Sequence, residues 1–196
     1  KKYNINKERF SVVYAGNFGY AQNINVILDC AKILQYEKEI QFLLFGTGSQ
    51  EDVIKNYAIE LNLDNVFFFP IQPYSEVSYV YSIGDVSVVS CKKGVGGSAM
   101  PSKTWSIMAT GTPLVASFDD NTSLKKIIET NNLGLFGVAN DPEQLANNIC
   151  KLYYDKKLRC LMSDNCRKYV ERYADREICT KQYNTVLAYC RKEYGK

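Results

Sequence analysis

The sequence predicts an α/β fold: a Rossmann-like parallel sheet of about six strands with helices on both faces and a helical C-terminal tail. Three observations predict it. Short β-branched and aromatic runs, bounded by glycine and polar residues, recur along the chain. Between them lie stretches with apolar residues at i, i+3 and i+4. From Pro142 onward the pattern is helical without a strand. Strands alternating with helices at short spacing are the mark of βαβ units, whose parallel strands bury both faces.

The first strand is FSVVYAG, residues 10–16, ended by a glycine. Residues 23–36 carry Ile24, Ile27, Leu28, Ala31 and Leu34, the spacing of one helix face. IQFLLFG at 40–46 predicts a second strand, and residues 50–61 a second helix. NVFFFP (65–70) reads as a strand, 75–84 as a short helix, and DVSVVS (85–90) as a strand. A glycine-rich loop and a helix then lead through Gly111 and Pro113 into the strand PLVAS (113–117). A helix over 122–130, a strand over 133–138 and helices over 143–154, 157–173 and 176–194 complete the chain. Residues 1–9 are polar and read as a linker or the edge of a larger protein, with 10–196 as one domain.

Composition narrows the function. The 196 residues are 46% hydrophobic, enough to bury a sizeable core. Net charge is only +3, and the densest basic stretch, Lys151 to Arg172, is interleaved with acidic and apolar residues. That is a solvated helix face, not the concentrated basic surface of a nucleic-acid binder. There is no histidine, and the seven cysteines form no CxxC pair. A zinc site and a Ser-His-Asp triad are therefore not expected, and buried free thiols in a reducing cytosol are. No signal peptide or membrane-spanning run is present in the sequence.

In a doubly wound sheet, ligands bind at the carboxyl ends of the strands. Four loops fall there. GNFGYAQN (16–23) places Gly16 and Gly19 around a turn, either to let a backbone approach an anion or simply to turn tightly. FGTGSQED (45–52) has Gly46 and Gly48 around Thr47 and is equally readable as a plain turn into a helix. PIQPY (70–74) is a stiff, partly apolar loop that suits a nucleobase or merely redirects the chain. The fourth, GGSAMPSKTWSIMATGTPLVAS (96–117), is the most specific. Proline suits a first helical turn. The amides of Ser102, Lys103 and Thr104 are expected to face outward from the helix start, with Lys103 adding charge and the preceding glycines leaving the loop mobile. Donors, a cation and little bulk make a diphosphate site. Ser106, one turn on, offers a hydroxyl to a sugar ring. Trp105, Ile107 and Met108 pack the same helix on the sheet.

The ordered set AGNFG, FLLFGTGS, NVFFFPIQPYSEV, YSIGDVSVVS, MPSKTWSIMATGTPLVAS and NNLGLFGVANDPEQLANNICKLYYD resembles the C-terminal, nucleotide-binding half of GT-B glycosyltransferases, nearest to the retaining group called family 4. The resemblance runs from Phe10 to about Tyr183. It implies a domain that binds a nucleotide-sugar donor such as a UDP- or GDP-sugar, without metal or other cofactor, facing a separate N-terminal acceptor-binding domain. It implies that Gly16, Asn17 and Gly19 approach the diphosphate or transferred sugar, that Pro70 and Ile71 hold the base, and that Gly97, Ser102, Lys103 and Thr104 hold the diphosphate. Many relatives carry two glutamates where Ser98 and Ser106 stand, the second on the ribose, and Arg and Lys where Asn17 and Gln22 stand. Ser98 and Ser106 thus become candidate ribose or sugar contacts, and Lys103 the main cation. No catalytic residue is singled out. The PSK form resembles a subset that builds surface polysaccharide or lipopolysaccharide. Lipid-linked acceptors are common for such enzymes, which implies a cytoplasmic protein whose full-length form makes peripheral contact with the inner face of the membrane. The domain alone is then expected to be inactive. The serines keep a second reading open, a non-catalytic module that binds a nucleotide sugar.

Overall fold

The structure is a computed structural model and describes residues 5–98 and 100–194. Its elements follow the predicted alternation. Strand β1 (Phe10–Asn17) leads to helix α1 (Asn25–Ile33), β2 (Ile40–Thr47), α2 (Glu51–Glu60), β3 (Val66–Phe69) and α3 (Val77–Ser82). The second half runs β4 (Val86–Ser90), α4 (Lys103–Ala109), β5 (Leu114–Phe118), α5 (Ser123–Asn131) and β6 (Gly134–Val138). Three helices end it: α6 (Pro142–Tyr154), α7 (Lys156–Tyr173) and α8 (Arg176–Tyr194).

The strands form one sheet in the order β3-β2-β1-β4-β5-β6, every pair parallel. The order reverses direction between β1 and β4. β1 and β2 are in register along eight residue pairs, Phe10–Ile40 to Asn17–Thr47. β1 and β4 pair only at Val12–Val86 and Val13–Ser87. Above those two pairs the strands part, and a crevice opens at the carboxyl edge, where doubly wound sheets place ligands.

Both faces are covered because period-2 alternation sends apolar side chains both ways. Val12, Tyr14, Phe42 and Leu44 pack under α1, α2 and α6 through Ile27, Leu28, Ile54, Leu145 and Ile149. Val13, Leu43, Phe45 and Val89 pack under α3, α4 and α5 through Val80, Ile107, Met108, Leu124 and Ile128. Helix α7 wraps the end of the sheet, giving Met162 to the first face and Cys166 to the second.

Helix ends follow local chemistry. Asp141 accepts from the Gln144 amide at 2.8 Å with Pro142 just inside α6, and Asp155 accepts from the Leu158 amide at 2.9 Å to start α7. Asn132 closes α5 in the left-handed region, at φ 49°.

Three details differ from the predicted spans. α1 starts at Asn25, not Asn23, because Asn23 is left-handed (φ 46°) and gives its side-chain amide to Asn140. The 75–84 helix is split into a 3-10 turn over Tyr74–Glu76 and the six-residue α3. The cysteines are all free, but only Cys30, Cys91 and Cys166 are buried; Cys160 and Cys190 are exposed because they lie on the outer faces of α7 and α8. Helix α8 exposes Tyr183, Val186, Leu187 and Tyr189.

Candidate functional site

The crevice is built on the last residues of β1. Gly16 has φ +149°, a conformation side chains rarely adopt, and is half-buried. Two tyrosine hydroxyls hold the carbonyls on either side of it. Tyr81 from α3 donates to the Ala15 carbonyl at 3.2 Å, and Tyr14 donates to the Asn17 carbonyl at 2.9 Å. The next strand presses close: a Cβ on Gly46 would come within 2.1 Å of the Gly16 carbonyl oxygen, and one on Gly48 within 2.3 Å of Asn17 Oδ1. The first two glycine loops are therefore packed against each other. A Cβ on Gly19 would meet Gln22 Oε1 at 2.7 Å and Asn17 Nδ2 at 2.8 Å, so the Asn17 and Gln22 amides converge above it.

Lys103 reaches this point from α4, on the far side of the crevice. Its Nζ lies 3.8 Å from the Tyr14 ring centroid and would be 2.7 Å from a Cβ on Gly16. The stem is partly exposed, whereas the ammonium nitrogen is out of reach of solvent and has no hydrogen-bond partner among the described residues. Burial pushes its pKa down from 10.5 to about 7. Desolvation likewise pushes Tyr81 up to about 12 and Tyr14 well above the usual tyrosine range, so both hydroxyls stay protonated donors.

The expected fan of amides at the start of α4 is narrower than the sequence reading gave. Ser102 is exposed and precedes the helix, but Thr104 is fully buried and its amide donates to the Pro101 carbonyl at 3.1 Å. That bond closes a tight turn on Pro101 at the start of α4. The Thr104 hydroxyl is buried without a partner among the described residues.

Beside Gly16 a cavity of about 310 Å³ opens, lined mainly by Ala15, Phe45, Ile71, Tyr74 and Tyr81. Ile71 is 59% exposed, and Pro70 is also exposed. Of the two predicted base contacts, Ile71 lines the cavity with Gly16. A second cavity, of about 470 Å³, shares Tyr74 and Val77 with the first and is lined by Ser106, Ser78, Thr110 and Arg167. Ser106 is exposed, and Arg167 donates to the Ala109 carbonyl at 2.6 Å. Gly16 and Ile71 thus line the first cavity and Ser106 the second, while Lys103 lines neither and sets its Nζ against Gly16. Gly97 borders a third cavity, of about 230 Å³, with Phe118, Asn121 and Thr122. The Ser98 side chain lies outside the described residues.

Sequence reasoning missed the residues that fix this geometry. Besides Tyr14 and Tyr81, Asp119 accepts from the Gly94 amide at 2.9 Å and the Gly96 amide at 2.7 Å, tethering the loop expected to be mobile. Lys92 donates its amide to the Ala21 carbonyl at 2.8 Å, and its Nζ lies over the Tyr20 ring and against its hydroxyl. An acidic residue after β5 and a lysine after β4 are visible in the sequence, but only the strand order brings them to these partners. Among the described residues no group of His, Cys, Asp or Glu is arranged to hold a metal ion, and no helix is long and apolar enough to cross a membrane.

A parallel sheet with a crevice at its switch point, glycine loops on one side and a cation on the other defines a Rossmann-like α/β domain. Known proteins narrow the class. The family described as glycosyl transferases group 1 matches residues 1–169, and the chain belongs to that family. A probable glycosyltransferase of Pseudomonas aeruginosa, WbjE, is 30% identical over 142 residues, 71% of this chain and 35% of that protein. A putative colanic acid biosynthesis glycosyl transferase of Escherichia coli K12, WcaI, is 28% identical over 174 residues, 88% of this chain and 41% of that protein. The chain therefore spans well under half the length of these curated relatives. HepE of Anabaena, solved in complex with UDP-glucose, shares the fold with a TM-score of 0.79 at 16% identity, over 92% of this chain and 49% of that one.

Proposed function

We propose that this chain is the donor-binding half of a retaining GT-B glycosyltransferase of family 4. It holds a UDP- or GDP-sugar for transfer to an acceptor bound by a separate N-terminal domain. The observation that carries this reading is the Lys103 ammonium, buried without a partner among the described residues and facing Gly16 across the crevice. A diphosphate entering beside them would accept from the ammonium in a site where charge is weakly screened. The base would lie in the cavity lined by Ile71, Phe45 and Tyr74, whose walls are largely apolar and aromatic. The ribose would lie toward Ser106.

The chemistry asked of such a site is neutralisation of the departing diphosphate. Lys103 supplies that charge, together with backbone amides of the glycine loops, and no metal is needed. The leaving phosphate itself takes the acceptor's proton, so a histidine base is not required. The named relative in colanic acid biosynthesis supports a role in surface polysaccharide or lipopolysaccharide synthesis, and we place that work in the cytoplasm, at the inner face of the membrane. Calorimetric titration of UDP, GDP and ADP tests the site. Lys103→Ala should weaken the preferred nucleotide by about 1–3 kcal/mol, the range of a charged hydrogen bond; an unchanged affinity refutes the assignment.

Ser98 and Ser106, at positions where relatives carry glutamate, favour a second reading: a module that binds a nucleotide sugar without turnover. Binding without transfer or hydrolysis by the full-length protein would select it.

A further inference from the structure

The surroundings of Lys103 carry one step more, resting on the donor-site reading above. An ammonium has three N–H donors and a full charge, and a site that buries it ordinarily supplies a carboxylate. No carboxylate reaches Lys103 among the described residues. The polar and titratable groups of the elements that flank it are spoken for or neutral. From β1 comes the Tyr14 ring face, and from α3 the Tyr81 hydroxyl, already donating to the Ala15 carbonyl. Beyond β4 the Cys91 thiol, raised to about 11 by burial, lies against Gly96. Asp119 accepts from the Gly94 and Gly96 amides, and Lys92 rests on Tyr20. Asn17 and Gln22, at the other side of the first loop, bear no charge.

We infer that Lys103 is a neutral amine in the free protein and takes one proton from solvent when a diphosphate enters the crevice, so that donor binding is proton-coupled. The neutral amine needs no counter-ion and can rest its lone pair and two hydrogens in this enclosed place. The diphosphate supplies the missing negative charge, and the amine becomes the ammonium that binds it. The proton comes from the buffer, one for each nucleotide bound. The depression of the Lys103 pKa to about 7 by burial agrees with this geometry. A consequence is that the charge of Lys103 exists only while the donor is there.

Two measurements on the 196-residue chain test the idea. First, the Lys103 side-chain ¹³Cε resonance, assigned by its loss in Lys103→Met, is followed against pH without ligand. It should titrate near 7, far below the ordinary lysine value of about 10.4. Titration at the ordinary value overturns the inference. Second, UDP-glucose, GDP-mannose and ADP-glucose are titrated calorimetrically at about pH 8 in buffers of different ionisation enthalpy, where these diphosphate diesters do not themselves change charge. The nucleotide sugar that binds should take up close to one proton, and uptake should vanish in Lys103→Met. Binding without uptake overturns proton coupling and leaves the donor site standing. Binding of none of the three overturns both.

Discussion

Gly16→Ala tests the geometry of the crevice most directly. The new Cβ would stand 2.7 Å from Lys103 Nζ, 3.3 Å from Lys103 Cε and 3.5 Å from the Tyr14 hydroxyl. Two costs follow, and they separate. The φ of +149° is strained for any side chain, a penalty of about 1–3 kcal/mol that stays whatever Lys103 does. At about 2–4 °C per kcal/mol for a chain of this size, the melting temperature should fall by roughly 2–12 °C. The steric contact adds little to stability, because the ammonium is the free end of a flexible side chain and can swing away. It then leaves its post beside the first loop, and nucleotide affinity should fall by about the strength of a charged hydrogen bond, ~1–3 kcal/mol. A double-mutant cycle with Lys103→Met resolves the two. The stability loss should be the same in both backgrounds, whereas the affinity loss should appear only when Lys103 is present. Equal affinity losses in both backgrounds would refute the Gly16–Lys103 contact.

Three further outcomes are expected. Gly46→Ala should be more damaging than Gly16→Ala in urea titration, by about 2–4 kcal/mol, because its Cβ would meet a backbone oxygen at 2.1 Å and the Phe18 ring at 2.6 Å, neither free to swing aside. Tyr81→Phe removes the donor to the Ala15 carbonyl and should cost about 1 kcal/mol of stability, with weakened nucleotide binding measured by calorimetry. The folded pKa of Lys103, about 7, lies below the unfolded 10.5, so between those values the unfolded chain holds more protons and this residue's contribution favours folding increasingly as pH rises. The stability advantage of Lys103→Met over wild type should therefore shrink between about pH 7 and 9, by up to ~1.4 kcal/mol per pH unit, and a constant difference in urea midpoint would refute it.

Most of the fold is legible in the sequence because each strand is a short apolar run buried on both faces, a pattern that survives without knowledge of its neighbours. β1 outlasts its predicted end by one residue, since its register with β2 continues to Asn17 and Thr47. The helical spacing that begins at Ile24 takes Asn23 in with it; its left-handed turn goes with a side-chain bond to Asn140, far along the chain. The site is legible in its cation and its glycines. What is hidden is direction. Lys103 reads as a charge offered to solvent at a helix start, yet it turns inward because Gly16 leaves room and Tyr14 offers a ring. Tyr14 itself reads as core, being one of the alternating apolar residues of β1, and its hydroxyl acquires a task only once the loop after β1 folds back above it. Thr104 looks like part of the outward fan until the tight turn from Pro101 draws it under.

The brevity of the β1–β4 pairing has a mechanical side. Below it, Asp85 clamps Ser11 twice, by its amide to the Ser11 carbonyl at 2.9 Å and by its carboxylate to the Ser11 amide at 2.9 Å. Above it, the first loop is buttoned to the end of β4, where Ser90 donates to the Gln22 carbonyl at 2.7 Å and Lys92 to that of Ala21 at 2.8 Å. The sheet is thus a pair of stiff three-stranded plates joined along a seam, stitched at the foot and buttoned at the lip. Across the unstitched stretch between, Gly16 stands on one plate and Lys103 is carried by the other. A molecule gripped by both becomes a tie-bar across that seam, and the load it bears passes straight into the two plates.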